Sequence, residues 1–146
     1  RAGRFDYKIP FLYPGPQARL EVLMVHLGLT QGSIKKRAPL EIEEDQIRDV
    51  LLEDIVPLTH NFSCAELEEL VIRAKRIAFD KEKDAIGRQE LLQATKTFRI
   101  DSSYRKHIVE MCMEQARRFT DDQTFLDAIE EENRMYENSV KGSLAR

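Results

Sequence analysis

The sequence opens on Arg1-Ala2-Gly3-Arg4-Phe5-Asp6, two arginines three positions apart around a glycine. A guanidinium is planar and always charged, and its chemistry is the recognition of anionic oxygen. Taken alone, the pair reads as a solvated basic end that pairs with Asp6. The remaining reactive side chains form no catalytic set. His26, His60 and His107 support no histidine metal site, and no metal ligands are assigned. Cys64 and Cys112 sit far apart in helical patterns and read as small packed residues. No Ser/His/Asp or Cys/His arrangement stands out. There is no G-x-x-x-x-G-K-S/T loop to cradle phosphates, and no strand ending in paired acids to hold magnesium. Glu43, Glu44 and Asp45 instead match the positive end of a helix dipole.

The elements that must position these residues come from 146 residues, enough for one domain or one small domain with an extension. At 42% hydrophobic the chain can build a core, so global disorder is excluded. With 23 basic against 26 acidic residues, there is no electrostatic case for nucleic acid as the main partner. Two distant cysteines make no disulfide framework, which points to a reducing, cytoplasmic location. No apolar run is long enough for a membrane span, and the start carries no signal-peptide pattern. The chain opens without methionine and is expected to be part of something longer.

Residues 1–16 alternate and carry Pro10, Pro14, Gly15 and Pro16, which predicts a short extended, strand-like segment ending in a turn. A helix starts at Pro16 or Gln17, keeps Leu20, Leu23, Met24 and Leu27 on one side and stops at Gly28. A basic loop leads to a helix holding Ile47, Val50, Leu51 and Ile55, which Pro57 closes. The best-specified element follows: Ser63 and Glu66 form a capping box, and Phe62 with Leu67 a hydrophobic staple. Leu67, Leu70, Val71, Ala74, Ile77 and Ala78 give it an apolar face. Gly87 precedes a helix with Leu91, Ala94, Thr95 and Phe98. Ser102 or Ser103 caps the next, bearing Ile108, Cys112, Ala116 and Phe119. Asp121 or Asp122 starts the last, with Phe125, Leu126 and Ile129, and the final residues are expected to fray. The fold class is all-α, a small helical bundle.

Four stretches in order carry more than periodicity. They are Arg1–Asp6 followed by Ile9-Pro10, then the Pro16-x-x-Arg19-Leu20-Glu21-Val22-Leu23-x-x-His26 helix start, then Asn61–Ala78, then Ile86-Gly87 with Leu91, Leu92 and Ala94. Together they resemble the end of the module of AAA proteins, ring-forming ATPases of the AAA+ superfamily. The resemblance covers about residues 1–101. It implies an end of the ATPase core at 1–16, a helical lid domain at 17–100 and a helical extension at 101–146.

In that family R-x-G-R-F/L-D carries arginine fingers, which the resemblance lays on Arg1 and Arg4. They would act catalytically on the neighbouring subunit's ATP, where negative charge spreads over the γ-phosphate. His26 matches a histidine near adenine and ribose. Asn61-Phe62-Ser63-Cys64-Ala65 matches G-F-S-G-A, in which small residues let the helix start approach the adenine. Cys64 and Ala65 would thus share the cofactor-binding role with His26, while Asn61 and Cys64 depart from the two glycines. The nearest candidate for a phosphate-sensing arginine, Arg73, is out of register and is not assigned. The implied cofactor is ATP with Mg²⁺ in the full-length parent. The implied partners are the chain's own ATPase core, neighbouring subunits of a homo-hexamer and a protein substrate, in remodelling, unfolding or proteolysis. This chain alone is expected not to hydrolyse ATP. The alternative is an independent adaptor that seats a partner helix in an apolar groove. The two differ in geometry: the lid needs His26 close to the Ser63–Ala65 helix start.

Overall fold

A computed structural model describes residues 8–30 and 38–144, with side chains through Glu131 other than that of residue 102, and those of Arg134 and Met135. Among the described residues there are six α-helices and no strand. Residues 8–15 run as irregular chain into α1 (Pro16–Leu27). Pro16 occupies the first turn of α1, where its missing N–H leaves no ladder bond unmade. At the other end Gly28 adopts φ 76°, in the left-handed region that glycine enters freely. Its N–H donates to Val25 O at 3.0 Å and that of Leu29 to Met24 O at 2.9 Å, so the last carbonyls are satisfied. The chain returns at Ala38, whose N–H donates to Leu27 O at 3.3 Å.

α2 (Glu44–Val50) does not continue as one regular helix to Pro57. Leu51–Ile55 widens into a π turn and Val56–Thr59 tightens into a 3₁₀ turn, with Pro57 inside that last turn rather than closing the helix. Proline has no N–H for the regular ladder, so the chain changes its winding around it. The change is used: Leu51, Ile55 and Val56 are all fully buried.

α3 (Cys64–Asp80) carries the predicted capping box. The Glu66 N–H donates to Ser63 Oγ at 3.3 Å, and the Ser63 N–H donates to Glu66 Oε2 at 2.7 Å. α4 (Arg88–Thr97) lies along α3. An isolated parallel bridge pairs Leu40 with Ile86: the Glu41 N–H donates to Ile86 O at 2.9 Å and the Ile86 N–H to Pro39 O at 3.0 Å. One continuous core results, with Leu20, Leu23 and Leu27 of α1 against Leu67, Leu70 and Ala74 of α3 and Leu91 and Ala94 of α4. Each buried leucine of this kind contributes on the order of 1.5–3 kcal/mol.

α5 (Ser102–Phe119) and α6 (Gln123–Leu144) follow. The cap of α5 is Asp101 rather than a serine: its Oδ1 accepts the N–H groups of Ser103 and Tyr104, both at 3.1 Å. Asp122 Oδ1 accepts the Phe125 N–H at 3.0 Å at the start of α6. The expected apolar stripe of α5 is largely uncovered. Ala116 is buried, whereas Cys112 and Phe119 are exposed. Cys64 is exposed as well, so neither cysteine is a packed residue. The spacing on α5 is helical, but one neighbouring helix cannot cover a full stripe. α5, α6 and the start of the chain meet through apolar and polar groups: Leu126 is fully buried, Leu12, Tyr13, Val109, Met113 and Ile129 line one small cavity, Arg117 pairs with Glu130, and the Thr120 hydroxyl donates to Lys8 O at 3.1 Å.

Candidate functional site

The site begins at the turn before α3. Thr59 is buried and its hydroxyl donates to Val56 O at 3.0 Å, while the Phe62 N–H donates to Thr59 O at 3.1 Å. Between them Asn61 has φ 60°. This is the position where the family pattern carries glycine, and asparagine is the side chain that enters left-handed backbone at least cost. The first departure from the pattern therefore keeps the turn. Phe62 then buries itself edge-on against Phe98, ring centroids 5.5 Å apart. Cys64 and Ala65, the first helical residues, are both exposed. The helix start presents two small side chains outward.

His26 lies in the last turn of α1, largely covered, with Nδ1 3.8 Å from Glu68 Oε1. Glu68 stands one helical turn beyond Cys64, so His26 is set against the first two turns of α3. His26 is therefore placed beside Glu68, one turn along α3 from Cys64. Arg1 and Arg4 lie outside the described residues. Arg73 is engaged elsewhere, with Nε 2.9 Å from Glu69 and its guanidinium 4.4 Å over the Phe98 ring. Among the described residues no group of His, Cys, Asp and Glu could hold a metal ion.

Sequence reasoning missed Arg105. Reaching from α5, its Nη1 donates to Glu66 Oε2 at 2.8 Å and to Asn61 O at 3.0 Å, and its Nη2 to Glu66 Oε1 at 2.6 Å. Its guanidinium also lies 4.9 Å over the Tyr13 ring. Arg105 and Glu66 expose 17% and 19% of their side chains, so this paired fork is largely shielded from water. Arg105's hydrogen bonds, helped by the Ser63 N–H and hydroxyl and opposed by burial, lower the Glu66 carboxyl from 4.5 to about 2. No local pattern marks Arg105, because its partners lie 39 and 44 positions away.

Two further charged residues brace the bundle. Arg19 is buried and donates to Pro14 O at 3.0 Å and Val56 O at 3.4 Å, tying the entry of α1 to the turn after Ile55. Glu90 is fully buried at the start of α4, accepting from the Gly87 N–H at 3.1 Å and from Lys81 at 3.2 Å, with Lys83 at 3.3 Å. Burial raises its carboxyl, but the Gly87 N–H, its own N–H and the two ammonium groups outweigh that and hold it below the usual range.

The described residues thus form a small all-α bundle with a capped, exposed helix start. Residues 49–93 match the AAA+ lid domain family, and the chain carries such a domain, homologous to those of FtsH and related ATPases. Over 94 residues the chain is 40% identical to the ATP-dependent zinc metalloprotease FtsH 1 of Thermomicrobium roseum, covering 64% of this chain and 12% of that protein. Over 96 residues it is 34% identical to the probable inactive ATP-dependent zinc metalloprotease FTSHI 4, chloroplastic, of Arabidopsis thaliana, covering 66% and 10%. Over 104 residues it is 32% identical to the proteasome-activating nucleotidase of Methanoregula boonei, covering 71% and 21%. No solved structure matches the chain. This chain therefore spans a small fraction, 10–21%, of the relatives it resembles.

Proposed function

We propose that this chain is the nucleotide-facing lid of an AAA-type ATPase, closing over ATP and Mg²⁺ held by its own ATPase core. What supports the reading is the start of α3, where Cys64 and Ala65 are exposed and Glu68, one turn further on, lies 3.8 Å from His26. Small side chains at a helix start allow a flat base to come close, and the imidazole offers an edge for the ribose. The phosphates and the metal belong to the core, since no described residue is arranged for them. Arg1 and Arg4 reach the neighbouring subunit's γ-phosphate in a hexameric ring, and rotation of the lid moves force between subunits. The names of the FtsH and proteasome-activating relatives favour a protein substrate that is unfolded for breakdown. Two exposed thiols suit a reducing compartment such as the cytoplasm.

An adaptor would need an apolar groove with room for a partner helix. The cavity between Tyr13, Arg19, Cys112 and Ile129 holds about 30 Å³, space for one water, and the roomier depression of about 400 Å³ beside α2 is open to solvent and lined by only six residues from Ala38 to Glu44, two of them acidic. The decisive experiment is ATP turnover by the protein that contains both this chain and its core, with sedimentation in ATP. Arg4→Ala should still assemble and bind ATP while turnover drops by roughly 10³-fold or more. Unchanged turnover overturns the finger assignment.

A further inference from the structure

Arg105 joins three parts of the chain that lie far apart in sequence. Its fork holds the carboxylate that caps α3, its Nη1 holds the carbonyl of the left-handed Asn61, and its face covers Tyr13. Glu66 is the common acceptor: Oε2 takes the Ser63 N–H at 2.7 Å, the Ser63 hydroxyl at 2.8 Å and Arg105 at 2.8 Å. Anything that shifts the Ser63–Glu66 turn therefore strains the fork, and anything that pulls on α5 strains the cap. The apolar side chains at this seam, Leu12, Tyr13, Val109, Met113 and Ile129, line one small cavity and are not fully buried. Of the residues of α5, only Ala116 is buried among the described side chains. The directional link across the seam is the guanidinium, which holds Glu66, the Asn61 carbonyl and the Tyr13 ring at once.

We infer that Arg105 is a positioning residue that makes α5 a reporter of the nucleotide seat: occupancy at the α3 start is transmitted to the extension, and displacement of the extension weakens nucleotide binding. This rests on the lid reading above, because the ligand at the α3 start is taken to be an adenine nucleotide. The two states are fork closed and fork released. A ligand that binds one of them better must shift the other end by the same factor. A lysine could keep the charge but not the paired fork, nor the hold on Asn61 at the same time.

The test is amide hydrogen exchange on the full-length protein with and without ADP, in the wild type, Arg105→Ala and Arg105→Lys. In the wild type ADP should slow exchange at Cys64–Leu67 and also at Ser103–His107. In Arg105→Ala exchange at both sets should be about tenfold faster without nucleotide. ADP should then protect only the α3 start, and binding of a fluorescent ADP analogue should weaken several-fold. Arg105→Lys should restore part of the transmitted protection. If ADP protects the α3 start but never α5 in the wild type, the inference is overturned and the lid reading stands. If ADP protects neither set, the lid reading fails and this inference with it. If Arg105→Ala keeps full ADP protection of α5, the guanidinium is not the route. The wild-type arm decides the matter even if Arg105→Ala misfolds.

Discussion

The lid and the extension are both helical and similarly charged, yet they are held in different ways. From α1 to α4 the interior is a single apolar cluster in which Leu23, Leu27, Ile47, Leu51, Leu67, Leu70 and Leu91 are all fully buried. In the described part of α5 and α6, Ala116 and Leu126 alone are buried among apolar side chains, and Tyr104, Met111, Phe119 and Phe125 are exposed. Beside Leu126 in α6, charged pairs do much of the joining there: Arg117 with Glu130 and Arg105 with Glu66. Apolar burial is non-directional and sums over area, so the lid tolerates local change. Polar pins are few and directional, so the extension depends on single residues.

The largest effect that could break this contrast is in the core. Leu70→Ala should cost about 2–5 kcal/mol and lower the main thermal transition. Leu126→Ala should free α6 while leaving that transition in place. Calorimetry checks both, and a single transition that falls equally in the two variants would erase the distinction.

Acid should act next, at the seam. The folded Glu66 carboxyl is depressed to about 2 from 4.5, so its stabilisation is complete above about pH 4.5 and is lost as the pH falls towards 2. Across that window the wild type should lose up to roughly 3 kcal/mol more than Glu66→Gln, which has no carboxylate to protonate. Urea unfolding at a series of pH values measures the difference, and parallel curves for the two proteins would remove Glu66 from the account. The smallest effect belongs to Asn61. Asn61→Gly should be nearly neutral, whereas Asn61→Ala should cost about 1 kcal/mol for left-handed backbone. Equal urea midpoints for the two variants would mean that the turn relaxes.

What could be read from the sequence shares one property: its partners lie within a few positions. Pro16, Gly28 and the Ser63–Glu66 box are local, and each stands where its residue types require. The apolar face of α3 was legible for the same reason, since its spacing is periodic. The π turn at Leu51–Ile55 was not, because Pro57 marks a disturbance without saying whether the helix ends or rewinds. The packed reading of Cys64 and Cys112 failed because helical spacing does not say which stripe finds a partner. Of the candidate site, the helix start, Cys64, Ala65 and His26 came from motif positions, whereas Arg105 and the buried Arg19 depend on contacts made across the fold.

The short run from Ala38 to Glu41 works as a clasp. The Ala38 N–H meets the carbonyl of Leu27 at the end of α1, and Leu40 pairs with Ile86 just before α4. Three backbone hydrogen bonds therefore fix the entry to α2 from two sides, against α1 and against the start of α4. Backbone bonds do not depend on side-chain identity, so the place of α2 is held by the course of the chain itself, while the apolar residues it carries are left to fill the core.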